Sequence, residues 1–138
     1  MRHALALAFS LATLLIPPLS GSVALAQSMP VCVGGHRVTC VVDGDTFWIN
    51  GERIRLLGVD APEMGKPRCT RISPLAPVAR DRLAALLGDG PLELERQGND
   101  VFGRTLATVR VKGQNVAELL ISDGLGRIYK RGQKPWCG

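Results

Sequence analysis

Hydrophobic and polar residues alternate in short blocks through the middle of the chain. Residues 38–42 and 46–49 read as strands, and Asn50-Gly51, which follows them, is a strong type I′ hairpin signal. Residues 52–59 predict a third strand in which Arg53 and Arg55 alternate with Ile54 and Leu56, so the two arginines share the face opposite the core. An irregular stretch over 61–73, rich in Pro and Lys/Arg, comes next. A helical period takes over at 75–87, where Leu75, Val78, Ala79, Leu83, Leu86 and Leu87 lie near one stripe. Pro77 belongs in its first turn and Gly88 at its stop. Strands at 92–96 and 105–111 flank a polar turn at 97–104. Asn115-Val116-Ala117-Glu118 has the form of a capping box and opens a short helix to Asp123, closed by Gly124. Residues 128–138 read as a basic tail. Three strands, a helix, two strands and a helix predict an α+β chain, a small β-barrel with helices rather than a sandwich, and an OB-type barrel fits that order.

Residues 1–26 stand apart from this pattern. Arg2 and His3 give a basic start, residues 4–19 are almost wholly apolar, and Ala24-Leu25-Ala26 before Gln27 has the form of a cleavage site. This is a secretory signal pattern. Pro17-Pro18 interrupts the apolar run before it reaches the ~20 residues of a membrane-spanning helix, which argues against the rival reading as an anchor. The expectation is a signal peptide over 1–26 and one domain over 27–138, in the periplasm or secreted, monomeric and off the membrane once the signal is gone. Losing Arg2 lowers the formal charge of +5 by one. The remaining basic excess favours polyanionic partners, but weakly.

All four cysteines, Cys32, Cys40, Cys69 and Cys137, follow the leader. An even count in an exported chain suggests disulfides, and four cysteines allow three pairings. The Gly34-Gly35 turn favours a local Cys32–Cys40 bridge, which leaves Cys69 and Cys137 to tie the irregular loop to the C-terminus. Zinc is the competing use of the thiols. It is disfavoured because no C-x-x-C spacing exists and His36 is the one histidine beyond the leader.

The candidate chemistry lies in Val41-Val42-Asp43-Gly44-Asp45-Thr46 and Arg55-Leu56-Leu57-Gly58-Val59-Asp60-Ala61-Pro62-Glu63. Four carboxylates and an arginine fall where strands meet turns. Phosphodiester cleavage needs an ion to polarise the phosphate, a base to activate water and a cation to meet developing charge. With one histidine available, paired-histidine schemes are excluded, and a carboxylate or ion-held water must serve as base. Oxygen-only donors suit Ca²⁺ or Mg²⁺ over Zn²⁺. Arginine suits a phosphate clamp because its planar fork meets two oxygens at once. Each residue also has a plainer reading. Asp43-Gly44-Asp45 is common turn chemistry, Arg55 fits an ion pair with a neighbouring carboxylate, and Asp100 fits a turn former.

These two segments, together with Asp100-Val101-Phe102-Gly103-Arg104, resemble the staphylococcal-nuclease-like family, the thermonucleases, in order and spacing over 37–129. The resemblance implies a five-stranded OB-fold and Ca²⁺-dependent hydrolysis of DNA and RNA with little sequence preference, releasing 3′-phosphorylated products. By position, Asp45 and Asp60 match carboxylate ligands of the ion. Ala61 stands where the family commonly places a threonine and supplies a backbone carbonyl. Asp43 matches an outer-shell carboxylate, Glu63 the general base, and Arg55 and Arg104 the phosphate clamp. Val101 and Phe102 depart from the family's usual basic residue and tyrosine, and Tyr129 is the only tyrosine. For substrate binding the chain offers Tyr129 as a stacking ring and Lys66, Arg68 and Arg71 along the backbone, with Arg127, Lys130, Arg131 and Lys134 in support. The alternative is a catalytically weak OB module that binds nucleic acid or an envelope polysaccharide.

Overall fold

The computed structural model describes residues 27–65 and 70–137. Strands β1 (Cys40–Asp43), β2 (Thr46–Ile49) and β3 (Glu52–Leu56) form an antiparallel meander. β4 (Val59–Asp60) follows, then helix α1 (Leu75–Leu87), β5 (Leu92–Asn99), β6 (Thr105–Val111), β7 (Gln114–Asn115), helix α2 (Val116–Ser122) and β8 (Arg127–Ile128). The main sheet has the order β1-β2-β3-β6-β5, with β7 added to β6. β3 and β6 run parallel, so the chain between them must cross over. That crossover carries the 61–73 loop and α1. The result is the α+β OB-type arrangement that the strand order predicts.

The local reasons are mostly the expected ones. Asn50 and Gly51 both take positive φ, 50° and 82°, as a type I′ turn requires. The side chain of Asn115 accepts from Ala117 N at 3.0 Å and caps α2, and Gly124 ends that helix with φ 72°. Phe47, Ile54, Leu83, Val109, Val116 and Leu120 are essentially fully buried and join the sheet to both helices. Among the described residues no helix is long and apolar enough to cross a membrane.

Several details differ from the sequence reading. The strand expected over 52–59 breaks in two, because Gly58 has φ 81° and turns the chain out of the sheet. β4 then pairs antiparallel with β8, matching Val59 with Ile128 and Asp60 with Arg127. The supposed tail therefore begins with a strand. β5 runs on to Asn99, with its register shifted after Arg96, so the polar turn shrinks to the residues before Arg104. Gly88 caps α1 in a right-handed conformation, φ −89°, rather than as a left-handed stop. A Cβ there would strike the backbone of Gln27 and Ser28, so Gly88 serves the crossing of the N-terminal segment.

Cys32 and Cys40 are bridged, with Cα atoms 4.9 Å apart. Cys137 is also disulfide-bonded, and no described cysteine is free. Cys69, Lys66, Arg68 and the expected signal segment over 1–26 lie outside the described residues.

Candidate active site

The site begins at the turn between β1 and β2. Gly44 is required there by space: a Cβ would lie 2.7 Å from Ala79 Cβ on α1 and 2.8 Å from Ala61 Cβ. The turn is thus pressed between helix and crossover loop, and Asp45 is only 4% exposed. Its Oδ2 accepts from Ala61 N at 3.0 Å and meets Arg55 Nη1 at 3.1 Å, while Thr46 Oγ1 donates to Oδ1 at 3.0 Å. The same Nη1 donates to Leu56 O and Val59 O, at 3.0 and 2.9 Å. Arg55 therefore also braces the break between β3 and β4.

Asp43 receives a long contact from Asp45 N at 3.4 Å. Burial, and next the Asp45 carboxylate beside it, push its carboxyl up to about 8, with Glu63 adding to the effect. Such crowding marks a place short of positive charge.

Asp60 is placed by the β4–β8 pairing. A Cβ on Gly126 would come within 2.5 Å of Val59 Cγ2, so glycine lets β8 approach. Arg127 then reaches Asp60 Oδ2 with Nε and Nη2, both at 2.8 Å. Its Nη2 also donates to Lys134 O, and its guanidinium carbon lies 5.0 Å from the Trp136 ring centroid. Asp60, Ala61 and the exposed Glu63 line a cleft of about 130 Å³, faced by Tyr129, Lys130, Lys134 and Trp136.

A second cleft of about 190 Å³ adjoins the first through Tyr129 and is lined by Arg55, Gly58, Asp100 and Arg104. Asp100 accepts from Phe102 N and Arg104 N, both at 2.9 Å, and from Arg104 Nε at 2.6 Å. Burial works to raise the Asp100 carboxyl, but these bonds from Arg104 and Phe102 outweigh it and hold the group below the usual carboxylate range. Asp100 is thus a turn former that also aims Arg104. Arg55 lies 5.9 Å from the Tyr129 ring centroid and Arg104 5.4 Å from that of Phe102. Val101 and Phe102 stand out from the turn, 93% and 75% exposed.

Asp60, Ala61 and Glu63 thus share one cleft wall, Asp45 is tied directly behind it, and Asp43 adjoins Asp45. Arg55, Arg104 and Tyr129 share the adjoining cleft. Arg71 is exposed and does not line either cleft. Arg127 enters as the partner of a proposed ligand rather than as a free cation, and Trp136 was not foreseen. Its one signal is an indole in an otherwise basic, polar tail.

Among the described residues no three His, Cys, Asp or Glu side chains converge as a ready metal cage. The donors are nonetheless all oxygen, and Asp43 sits beside the buried Asp45 carboxylate, whose one cationic partner among the described residues is Arg55. A hard cation completed by main-chain oxygen and substrate phosphate fits this chemistry.

Residues 53–136 match the family model described as staphylococcal nuclease homologue. That span holds Arg55, Asp60, Glu63, Arg104 and Tyr129, with Asp43 and Asp45 just before it. The chain is 38% identical over 94 residues to "Endonuclease YncB" of Bacillus subtilis, covering 63% of this chain and 44% of that protein. It is 37% identical over 98 residues to "Thermonuclease" of Staphylococcus intermedius, covering 67% and 58%. It is also 36% identical over 94 residues to "Succinoglycan biosynthesis protein ExoI" of Rhizobium meliloti, covering 61% and 47%. The chain thus spans less than two thirds of each of these relatives. From the strand order, the adjoining clefts and the match over most of the described residues, the chain belongs to the staphylococcal nuclease homologue family.

Proposed function

We propose that this protein is an exported, Ca²⁺-dependent nuclease that hydrolyses phosphodiester bonds of DNA and RNA with little sequence preference. The observation that carries this reading is the adjacency of a cleft with the carboxylates of Asp60 and Glu63 on one wall and a cleft bearing two arginines, joined at Tyr129. A phosphate seated at the junction meets Arg55 and Arg104. Arg104 is anchored through Nε and Arg55 through Nη1, which leaves Nη groups on each fork for phosphate oxygens. Both are charged before the reaction starts, so they meet the charge that grows on phosphorus without reorganising. Glu63 is exposed at the cleft, where its carboxylate accepts the proton of the attacking water. Asp45, Asp60 and the Ala61 carbonyl would hold the ion, with Asp43 behind them. When bound, calcium supplies polarisation of the phosphate.

Plasmid nicking and single-stranded DNA cleavage under Ca²⁺, Mg²⁺ or EDTA test this. Cleavage with Ca²⁺ that stops in EDTA is expected. Full activity in EDTA would sink the metal assignment. Binding of nucleic acid or of an acidic polysaccharide without cleavage would favour the binding-module reading, to which the succinoglycan-named relative gives some weight.

A further inference from the structure

The cleft beside Asp60 and Glu63 has two walls of opposite charge. The wall facing the carboxylates is built by residues 129–136, including Lys130, Lys134 and Trp136. This segment is fastened at both ends. Tyr129 N donates to Gly58 O at 3.0 Å, and at the far end Cys137 is disulfide-bonded and forms a bridge pair with Ile72. Between them Arg127 donates to Lys134 O and lies against the Trp136 ring. The charge of that arginine is already matched by Asp60, so it fixes the indole without needing a ligand of its own. Among the described residues Lys130 and Lys134 form no ion pair, not even with the carboxylates across the cleft. A segment that merely plugged the site would bring its ammonium groups onto Asp60 or Glu63. Here they remain available beside a fixed aromatic ring.

We propose that this segment is a nucleotide subsite. One base of a single strand stacks on Trp136, and the neighbouring phosphate lies between Lys130 and Lys134, next to the phosphate held by Arg55 and Arg104. A fixed ring beside paired cations is the general solution for single strands. An internal base of a duplex is stacked on both faces and does not reach this ring. The inference rests on the nuclease reading for its substrate class, but its test needs no turnover.

The chain has two tryptophans, Trp48 and Trp136. Trp48 Nε1 has no hydrogen-bond partner among the described residues, so Trp48→Phe loses no such bond and leaves Trp136 as the fluorophore. In EDTA and low salt, an oligothymidylate of about eight nucleotides, within the 4–16 range of OB folds, should quench Trp136. An abasic strand of the same length should bind without quenching. By anisotropy of a labelled oligomer, Trp136→Leu should weaken binding roughly 5- to 150-fold, the worth of one base stack. Trp136→Phe should stay within about threefold, since it keeps a stacking face. Lys130→Ala with Lys134→Ala should lower the logarithmic salt slope by about 1.4. Absence of quenching, equal quenching by the abasic strand, or affinity unchanged in Trp136→Leu would overturn the subsite. Tighter binding or faster cleavage in Trp136→Leu would also overturn it, showing a cover over the site instead. Nicking activity is scored separately, so loss of the nuclease reading and loss of the subsite give different results.

Discussion

Replacing Arg55 tests the claim that one side chain both braces the fold and clamps the phosphate. Its side chain is 11% exposed and that of Asp45 6%, so the pair is buried. Arg55→Ala leaves Asp45 Oδ2 with only the Ala61 amide and strips Leu56 O and Val59 O of their side-chain donor. Breaking a buried pair from one side costs about 3–5 kcal/mol, against a total stability of about 5–15 kcal/mol. At this chain size that lowers Tm on the order of 15 °C. Arg55→Lys keeps the charge but one ammonium cannot serve the carboxylate, both carbonyls and a phosphate. A loss of about 1–3 kcal/mol is expected for acceptors left unpaired. Turnover should fall by about 10²–10³ for one lost transition-state donor. Urea unfolding in EDTA gives the first quantity, and single-turnover cleavage well below Tm gives the second on folded protein. A cycle with Asp45→Asn isolates the pair, and a coupling above about 1 kcal/mol is expected. If Arg55→Ala unfolds within about 1 kcal/mol of wild type, the bracing role is wrong. If Arg55→Lys cleaves at the normal rate, the clamp is wrong.

Arg104→Lys should cost a similar factor in turnover, about 10²–10³, but little stability, since the contacts of Arg104 with Asp100 and the Phe102 ring stay within its own turn; an unfolding midpoint shifted like that of Arg55→Ala would contradict this. The Asp100 carboxyl is held down in the folded state, so its contribution is present above the ordinary carboxylate range and lost as pH falls through its folded value. Asp100→Asn should flatten the acid limb of the stability curve, and an unchanged limb would refute the latch. Glu63→Gln should keep calcium affinity by calorimetry while losing about 10²–10⁴ in rate; a collapse of calcium binding would recast Glu63 as a ligand. Native protein should show no reactive thiol by mass after alkylation, and Cys32→Ser with Cys40→Ser should cost about 2–3 kcal/mol, the worth of so short a loop.

The sequence was most legible where chemistry and turn type coincide. Asp43-Gly44-Asp45 reads as a turn with carboxylates from residue type, and Asn50-Gly51 as a hairpin because few residues accept its positive φ angles. What it hid is close approach between distant segments. Gly44 looks like turn glycine, yet it is demanded by Ala79 and Ala61. Period-two alternation through 52–59 gives no sign that the chain leaves the sheet at Gly58, since both pieces are strands. Arg127 reads as a free cation for substrate and Trp136 as tail, because their placement depends on β4 and on Asp60, which lies 67 residues before Arg127. No local pattern encodes that meeting.

The same separation sets when the site exists at all. Asp60 leaves the ribosome long before Arg127, and closing a loop of that length is a late, entropically costly step. At about 5–20 residues per second the growing chain spends several seconds with Asp43, Asp45 and Glu63 made but the Asp60 wall unfixed. Among the described strands β8 is the last in chain order and the one that pairs with β4, so the Asp60 wall closes only after every other described strand has been made.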